Sequence, residues 1–154
     1  MRLTTKSQYG LLVLADLVKN YRRGGQRFVP IGELAERCNT SPKYLEQVVL
    51  PLTHANILES RRGANGGYRL RSAPELVSLG DALRHLDGRL MPIPKWVDEA
   101  AKLDSAGTLG RFGEVLYRCR DSVREILDKT TLDVLSSNVE EVSDRDADSE
   151  TYSI

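Results

Sequence analysis

The sequence predicts a mainly α-helical chain with a small β-hairpin wing, a winged helix-turn-helix followed by a long C-terminal dimerisation helix. Three observations predict it. Two short helical patterns over 31–54 are separated by a turn of three or four residues. The period then switches from helical to strand-like around RRGANGGYRLR, residues 61–71. Further on, Leu109, Phe112, Leu116, Cys119, Val123 and Ile126 recur at spacings of 3, 4, 3, 4 and 3, the seam of a heptad repeat.

Thr4 or Thr5 caps a first helix running to about Asn20, with a wide apolar face that includes Tyr9, Leu12, Val13 and Leu17. Two glycines in YRRGGQR end it, and FVP leads into a short helix from Ile31 to Arg37. Ser41 is a helix N-cap followed by Pro42 at the favoured first position. Leu45, Val48, Val49 and Leu52 form the apolar face of this helix, which Pro51 is expected to kink or end. Strands are expected over Ile57–Arg62 and Tyr68–Arg71, joined by Gly63, Asn65, Gly66 and Gly67, residue types that accept the positive φ of tight turns. Ser78 opens a further helix that Gly88 stops, and a short helix around Val97–Leu103 precedes the long one from about Thr108. The expected division is therefore a DNA-binding unit over 1–88, an irregular segment over 89–107, a dimerisation helix over 108–137 and an acidic, disordered tail over 138–154.

The zero net charge hides an asymmetry. Residues 1–90 carry 14 Lys/Arg against 8 Asp/Glu, a balance of +6, and residues 91–154 carry 8 against 14, a balance of −6. A basic front half suits a polyanionic partner. No apolar run approaches the roughly 18 residues of a membrane span, and MRLTTKSQYG lacks the form of a signal peptide. Two cysteines, Cys38 and Cys119, make no disulfide framework, and a cytoplasmic protein is expected. No phosphate loop, metal-ligand cluster or nucleophile with a neighbouring base marks an enzyme.

These elements suit duplex DNA. A helix in the major groove reads base edges with its N-terminal side chains, here Ser41, Pro42, Lys43, Tyr44 and Gln47. Gln47 suits adenine, Lys43 a guanine or a phosphate, and Glu46 either accepts from a cytosine or repels phosphates and so tunes specificity; the plainer readings are a packed Tyr44 and a solvated Lys43. Arg61, Arg62, Asn65 and Arg69 belong to the wing, where an arginine gains from the potential of a narrow minor groove. Thr4, Thr5, Lys6 and Tyr9 either hold phosphates at the first helix's N-terminus or merely cap it.

In order, MRLTTKSQYGLLVLADL, IGELAER, SPKYLEQVVLPL, RRGANGGYRL and SLGDAL resemble the IscR/NsrR/CymR-type (Rrf-two) family of winged-helix transcription regulators. The likeness covers 1–88 and resumes weakly over Leu127–Ser137. It implies a homodimer bound to a partly palindromic operator, usually as a repressor, and it matches Arg62 to the family's minor-groove arginine. Several members hold an iron–sulfur cluster on three close cysteines and another ligand between the wing's following helix and the long helix. Residues 90–118 contain neither cysteine nor histidine, so no cofactor and no metal ligand is expected, and the chain resembles the cysteine-poor branch.

Cys119 has two readings, core packing or a thiol facing its symmetry mate and open to redox chemistry. Trp96 also has two, a core plug or one wall of an apolar effector pocket with Met91, Pro92, Ile93, Pro94 and Val97. A small molecule or a partner protein is the expected effector. The rival to a DNA-binding repressor is a winged-helix module that binds a metabolic enzyme; a thiol-based redox regulator is a further alternative.

Overall fold

The structure, a computed structural model, describes residues 3–24 and 27–136. The expected acidic tail, 138–154, lies outside the described residues. Helix α1 (Thr5–Arg22) is capped by Thr4, whose hydroxyl accepts from the Ser7 N–H at 3.3 Å. Such a cap satisfies one of the free amide donors of the first turn. Val13, Leu14, Leu17 and Val18 form the buried face. Leu12, read from the sequence as part of that face, is exposed, because the side turned to the core centres on Leu14 and Leu17.

Helices α2 (Ile31–Arg37) and α3 (Pro42–His54) form the helix-turn-helix. Asn39 turns the corner at φ 51°, in the left-handed region that asparagine enters more readily than most residues. Arg37 ties α2 to α1 through Asp16 at 2.7 Å and also pairs with Glu33. Pro51 does not end α3 at once: the helix runs on to His54. It stops within one turn of the proline, whose missing N–H removes a backbone bond.

Strands β1 (Leu58–Arg61) and β2 (Gly67–Leu70) pair antiparallel, Leu58 opposite Leu70 and Arg61 opposite Gly67. Val29 adds a third extended segment. Its N–H donates to the Tyr68 carbonyl, and the Tyr68 N–H donates back to the Val29 carbonyl, each at 2.9 Å. Gly67 sits at φ 142°, and a side chain there would strike the Val29 carbonyl. Only glycine permits both the backbone angle and the close approach.

Helix α4 (Leu79–Asp87) starts from Ser78, whose hydroxyl accepts from the Asp81 N–H at 2.9 Å, and ends at Gly88, φ 77°. Helix α5 (Lys95–Leu103) begins earlier than the expected Val97 and packs on α6 (Thr108–Lys129). Val97 is the buried plug between them, whereas Trp96 is half exposed and stacks on Phe112, ring centroids 6.5 Å apart. Trp96 is therefore not a core plug.

The long helix ends at Lys129, short of the expected 137. The chain then turns back to the first unit. The Leu79 N–H donates to the Thr130 carbonyl at 2.7 Å, and the Leu132 N–H to the Val77 carbonyl at 2.9 Å. A 3-10 turn (Leu132–Ser136) lies against α1, and Leu132 is fully buried. One core thus unites α1, α3, the hairpin base and α4 with a residue from beyond the long helix. Helical spacing in LDKTTLDVLSS hides this, because the apolar Leu132 suits either a longer helix or a returning plug. Among the described residues no helix is long and apolar enough to cross a membrane.

Replacing Leu132 by alanine empties space at the centre of the first unit. Leu132→Ala is expected to cost about 2–5 kcal/mol of stability, read as a lower denaturant midpoint with an unchanged slope. A midpoint equal to the wild type's would separate the returning turn from the core.

Candidate nucleic-acid interface

The Ser41 hydroxyl accepts from the Tyr44 N–H at 3.2 Å and fixes the start of α3, with Pro42 in the first turn. Lys43, Glu46 and Gln47 point outward and are exposed. Leu45, Val48, Val49 and Leu52 are buried on the opposite side. Burial of four apolar side chains therefore presents the polar ones, as an amphipathic helix must. Tyr44 packs: its ring meets that of Tyr9 edge to face, 5.4 Å apart with an 82° interplanar angle. Aromatic pairs favour this geometry, and here it braces the start of α3 against α1.

Thr4 is already engaged. Its N–H donates to Asp87 at 2.9 Å, its hydroxyl donates to the other Asp87 oxygen, and that hydroxyl also caps α1. The capping reading therefore describes Thr4. Thr5 is exposed and Lys6 half-buried at the same helix end. Burial alone would raise the Asp87 carboxyl. Hydrogen bonds donated from the start of α1, with Lys6 nearby, outweigh it and hold the carboxyl below its ordinary range.

In the wing, three arginines have different surroundings. Arg61 lies over the Phe28 ring, 4.5 Å from its centroid, and donates to the Asn65 carbonyl at 2.9 Å. Arg69 lies over the same ring at 4.4 Å and pairs with Glu59 at 2.9 Å. Arg62 is exposed and has no ion pair among the described residues. Arg71, just beyond the hairpin, donates to the Asn56 side chain at 2.8 Å. Phe28 and Glu59 did not emerge as site residues from the sequence. The Glu59–Arg69 partnership follows from the register, which sets them opposite each other. Phe28 could be found only by noticing that Val29, next to it, pairs with the hairpin.

The wing and α3 adjoin. Burial raises the Tyr68 phenol on β2, and the nearby Glu46 carboxylate on α3 raises it further. Lys43 and Gln47 on α3 and Arg62, just past β1, are each exposed.

On α6 the seam residues split. Leu109, Phe112, Cys119 and Ile126 are exposed, and Leu116 and Val123 are half-buried. Core packing therefore does not describe Cys119, which is a free thiol at the surface. Cys38 is buried, which pushes its thiol up, and Asp16 nearby adds to the effect. A raised thiol carries little of the reactive thiolate. His54 and His85 are exposed at or near helix ends.

A capped helix with an outward polar face, flanked by an arginine-bearing hairpin, defines a winged-helix protein of the kind that regulates transcription. Residues 3–138 match the family model described as Rrf2, iron-dependent transcriptional regulator. The chain belongs to the Rrf2 family and is a transcriptional regulator. CymR of Bacillus subtilis (strain 168) is 37% identical over 137 residues, spanning 89% of this chain and 91% of that relative. The solved structure of CymR, described as the global cysteine regulator of B. subtilis, is similar at TM-score 0.70 with 36% identity, covering 88% of this chain and 96% of that one. The oxidized form of Staphylococcus aureus CymR is similar at TM-score 0.67 with 37% identity, covering 90% of this chain and 98% of that one.

The family description implies iron, and the donor set here does not suit an iron–sulfur cluster. Such clusters are held by cysteine thiolates, with histidine as the usual substitute. The two cysteines lie on α6 and at the end of α2, and 90–118 supply neither residue type. Among the described residues no group of three or more His, Cys, Asp or Glu is gathered for a metal ion.

The Thr4–Asp87 clamp has a pH signature. Because the folded-state carboxyl is depressed, its contribution is present above the unfolded value of about 3.9 and lost as pH falls through the folded value. Asp87→Asn should therefore be less stable than wild type at neutral pH, with the two converging in acid. Denaturant midpoints measured across that range check this; a gap independent of pH would show that the carboxylate charge does not matter.

Proposed function

We propose that this protein is a homodimeric, sequence-specific repressor that binds a partly palindromic operator in duplex DNA, in the cytoplasm and without an iron–sulfur cluster. The observation that carries the reading is Arg62 on the wing, exposed and without an ion pair among the described residues, while Lys43 and Gln47 are exposed on α3. A cation left unpaired, together with an exposed polar helix face, is suited to a polyanion, with the arginine in the minor groove and the helix in the major groove. Arg61 and Arg69, held on Phe28, shape the wing and lie towards the phosphates. Thr5, Lys6 and Tyr9 serve the backbone at the end of α1.

Two copies follow from α6. Leu109, Phe112 and Ile126 of its apolar stripe are exposed among the described residues, and a second copy of the same helix would bury them. A two-fold dimer reads two half-sites, which is why the operator would be partly palindromic. The missing cysteines between α4 and α6 support regulation without a cluster. One observation favours a thiol-responsive variant of the same reading: Cys119 is exposed on that stripe, where a symmetry mate would approach it.

Fluorescence anisotropy on an operator selected from random duplexes tests the reading. Arg62→Ala should weaken specific binding by about 1–3 kcal/mol, and wild-type affinity should fall steeply with salt as counterions are released. Absence of binding to any duplex at low salt would refute the repressor and leave a protein-binding module. Leu116→Glu should convert the dimer to monomers in sedimentation velocity; an intact dimer would remove the seam.

A further inference from the structure

A cleft of about 500 Å³ opens between α4, the 89–93 segment and the second half of α6. Its volume falls within the range of small-molecule sites, about 300–1,000 Å³. Met91, Pro92 and Ile93 line it on one side and Val123 on another. Of the six residues expected to wall an effector pocket, these first three do so, while Pro94, Trp96 and Val97 are not among the lining residues.

Four guanidinium groups join that apolar surface: Arg84, Arg89, Arg120 and Arg124, against one lining carboxylate, Asp98. Four cations and one anion give the lining a charge of +3. Asp128 accepts from Arg84 at 2.6 Å and from Arg124 at 3.4 Å, and Asp121 accepts from Arg120 at 2.9 and 2.8 Å. Asp81 also accepts from Arg84, at 3.5 Å, so counting these three partner carboxylates brings the balance to zero, with Arg89 the lining cation that none of them pairs. Arg89 has no ion pair among the described residues and is exposed. Arg120 also lies 4.9 Å from the centre of the Tyr117 ring, another lining residue. Arg84 meets two carboxylates, Asp128 and Asp81, and Arg124 meets one, which leaves each five-donor fork with N–H groups to spare.

We infer that this cleft binds a small organic anion, its acidic group held by Arg89 with help from the spare donors of Arg84 and Arg124, and its apolar or aromatic body resting on Met91, Pro92 and Ile93. Arginine forks suit carboxylate, sulfonate or phosphate oxygens, and the low-polarity wall favours a ligand with a hydrocarbon portion. The site is separate from the DNA-reading surface and does not depend on it.

The probe is 8-anilinonaphthalene-1-sulfonate, an anion on an aromatic body, with uncharged N-phenyl-1-naphthylamine as the control. Fluorescence titration of the full chain should show saturable binding of the sulfonate. Arg89→Glu should weaken it about tenfold or more, since it replaces a charge-assisted partner by a repelling one. Met91→Trp should block it by filling the cleft, with circular dichroism confirming that both variants are folded. Sulfonate affinity unchanged by Arg89→Glu, or matched by the uncharged amine, would overturn the anionic class. Affinity unchanged by Met91→Trp would overturn the site.

Discussion

Two backbone hydrogen bonds between Val29 and Tyr68 govern where the wing stands. A two-stranded hairpin by itself is at best marginally stable in water. The Val29 bridge anchors this one to the chain entering α2, and Gly67 makes the approach possible by having no side chain. Phe28 is brought beneath the hairpin by the same bridge, and its ring then holds two guanidinium groups. Three wing arginines that look equivalent in the sequence become unequal for this reason. Two are fastened to an aromatic face and one is left outward.

A second constraint closes the molecule from the other end. After α6 the chain returns, pairs with the segment before α4 and plugs the core with Leu132. Arg84 on α4 meets Asp128 on α6 nearby, and Arg84 is the larger cause of the depression of the Asp128 carboxyl. Arg22 likewise joins α1 to Glu75, in a 3-10 turn (Pro74–Leu76) ahead of α4, and to Asp133 in the turn after α6. Exposed ion pairs of this kind contribute little individually, so the apolar plug, not the charges, holds the return in place. The long helix is thus fixed to the winged-helix unit at its end while part of its stripe stays exposed. The cleft with the arginine rim lies at that same junction.

The helix-turn-helix was legible because its signals are local. Ser41 and Pro42 start α3, Asn39 makes the turn, and the spacing of Leu45, Val48, Val49 and Leu52 identifies the buried face and so the outward Lys43 and Gln47. The hairpin was legible from its glycines, and Ser78 and Gly88 bounded α4 correctly. The apolar period from Leu109 to Ile126 was legible as a long helix. Leu12 and Trp96 were misread because a wide stripe or a lone tryptophan does not say which of its neighbours the core will meet.

By itself the sequence determined which segments become helix or hairpin, since caps, turn residues and apolar periods act over a few residues. It also determined that residues 90–118 contain neither cysteine nor histidine, because residue types are explicit in the chain. Only the tertiary structure decided that Leu132 belongs to the core of the first unit, that Thr4 is bound to Asp87, and that Arg62 rather than Arg61 or Arg69 is left without a partner among the described residues. Each of these rests on residues distant in the chain meeting across a packed interface, and local patterns carry no record of which distant groups will be neighbours.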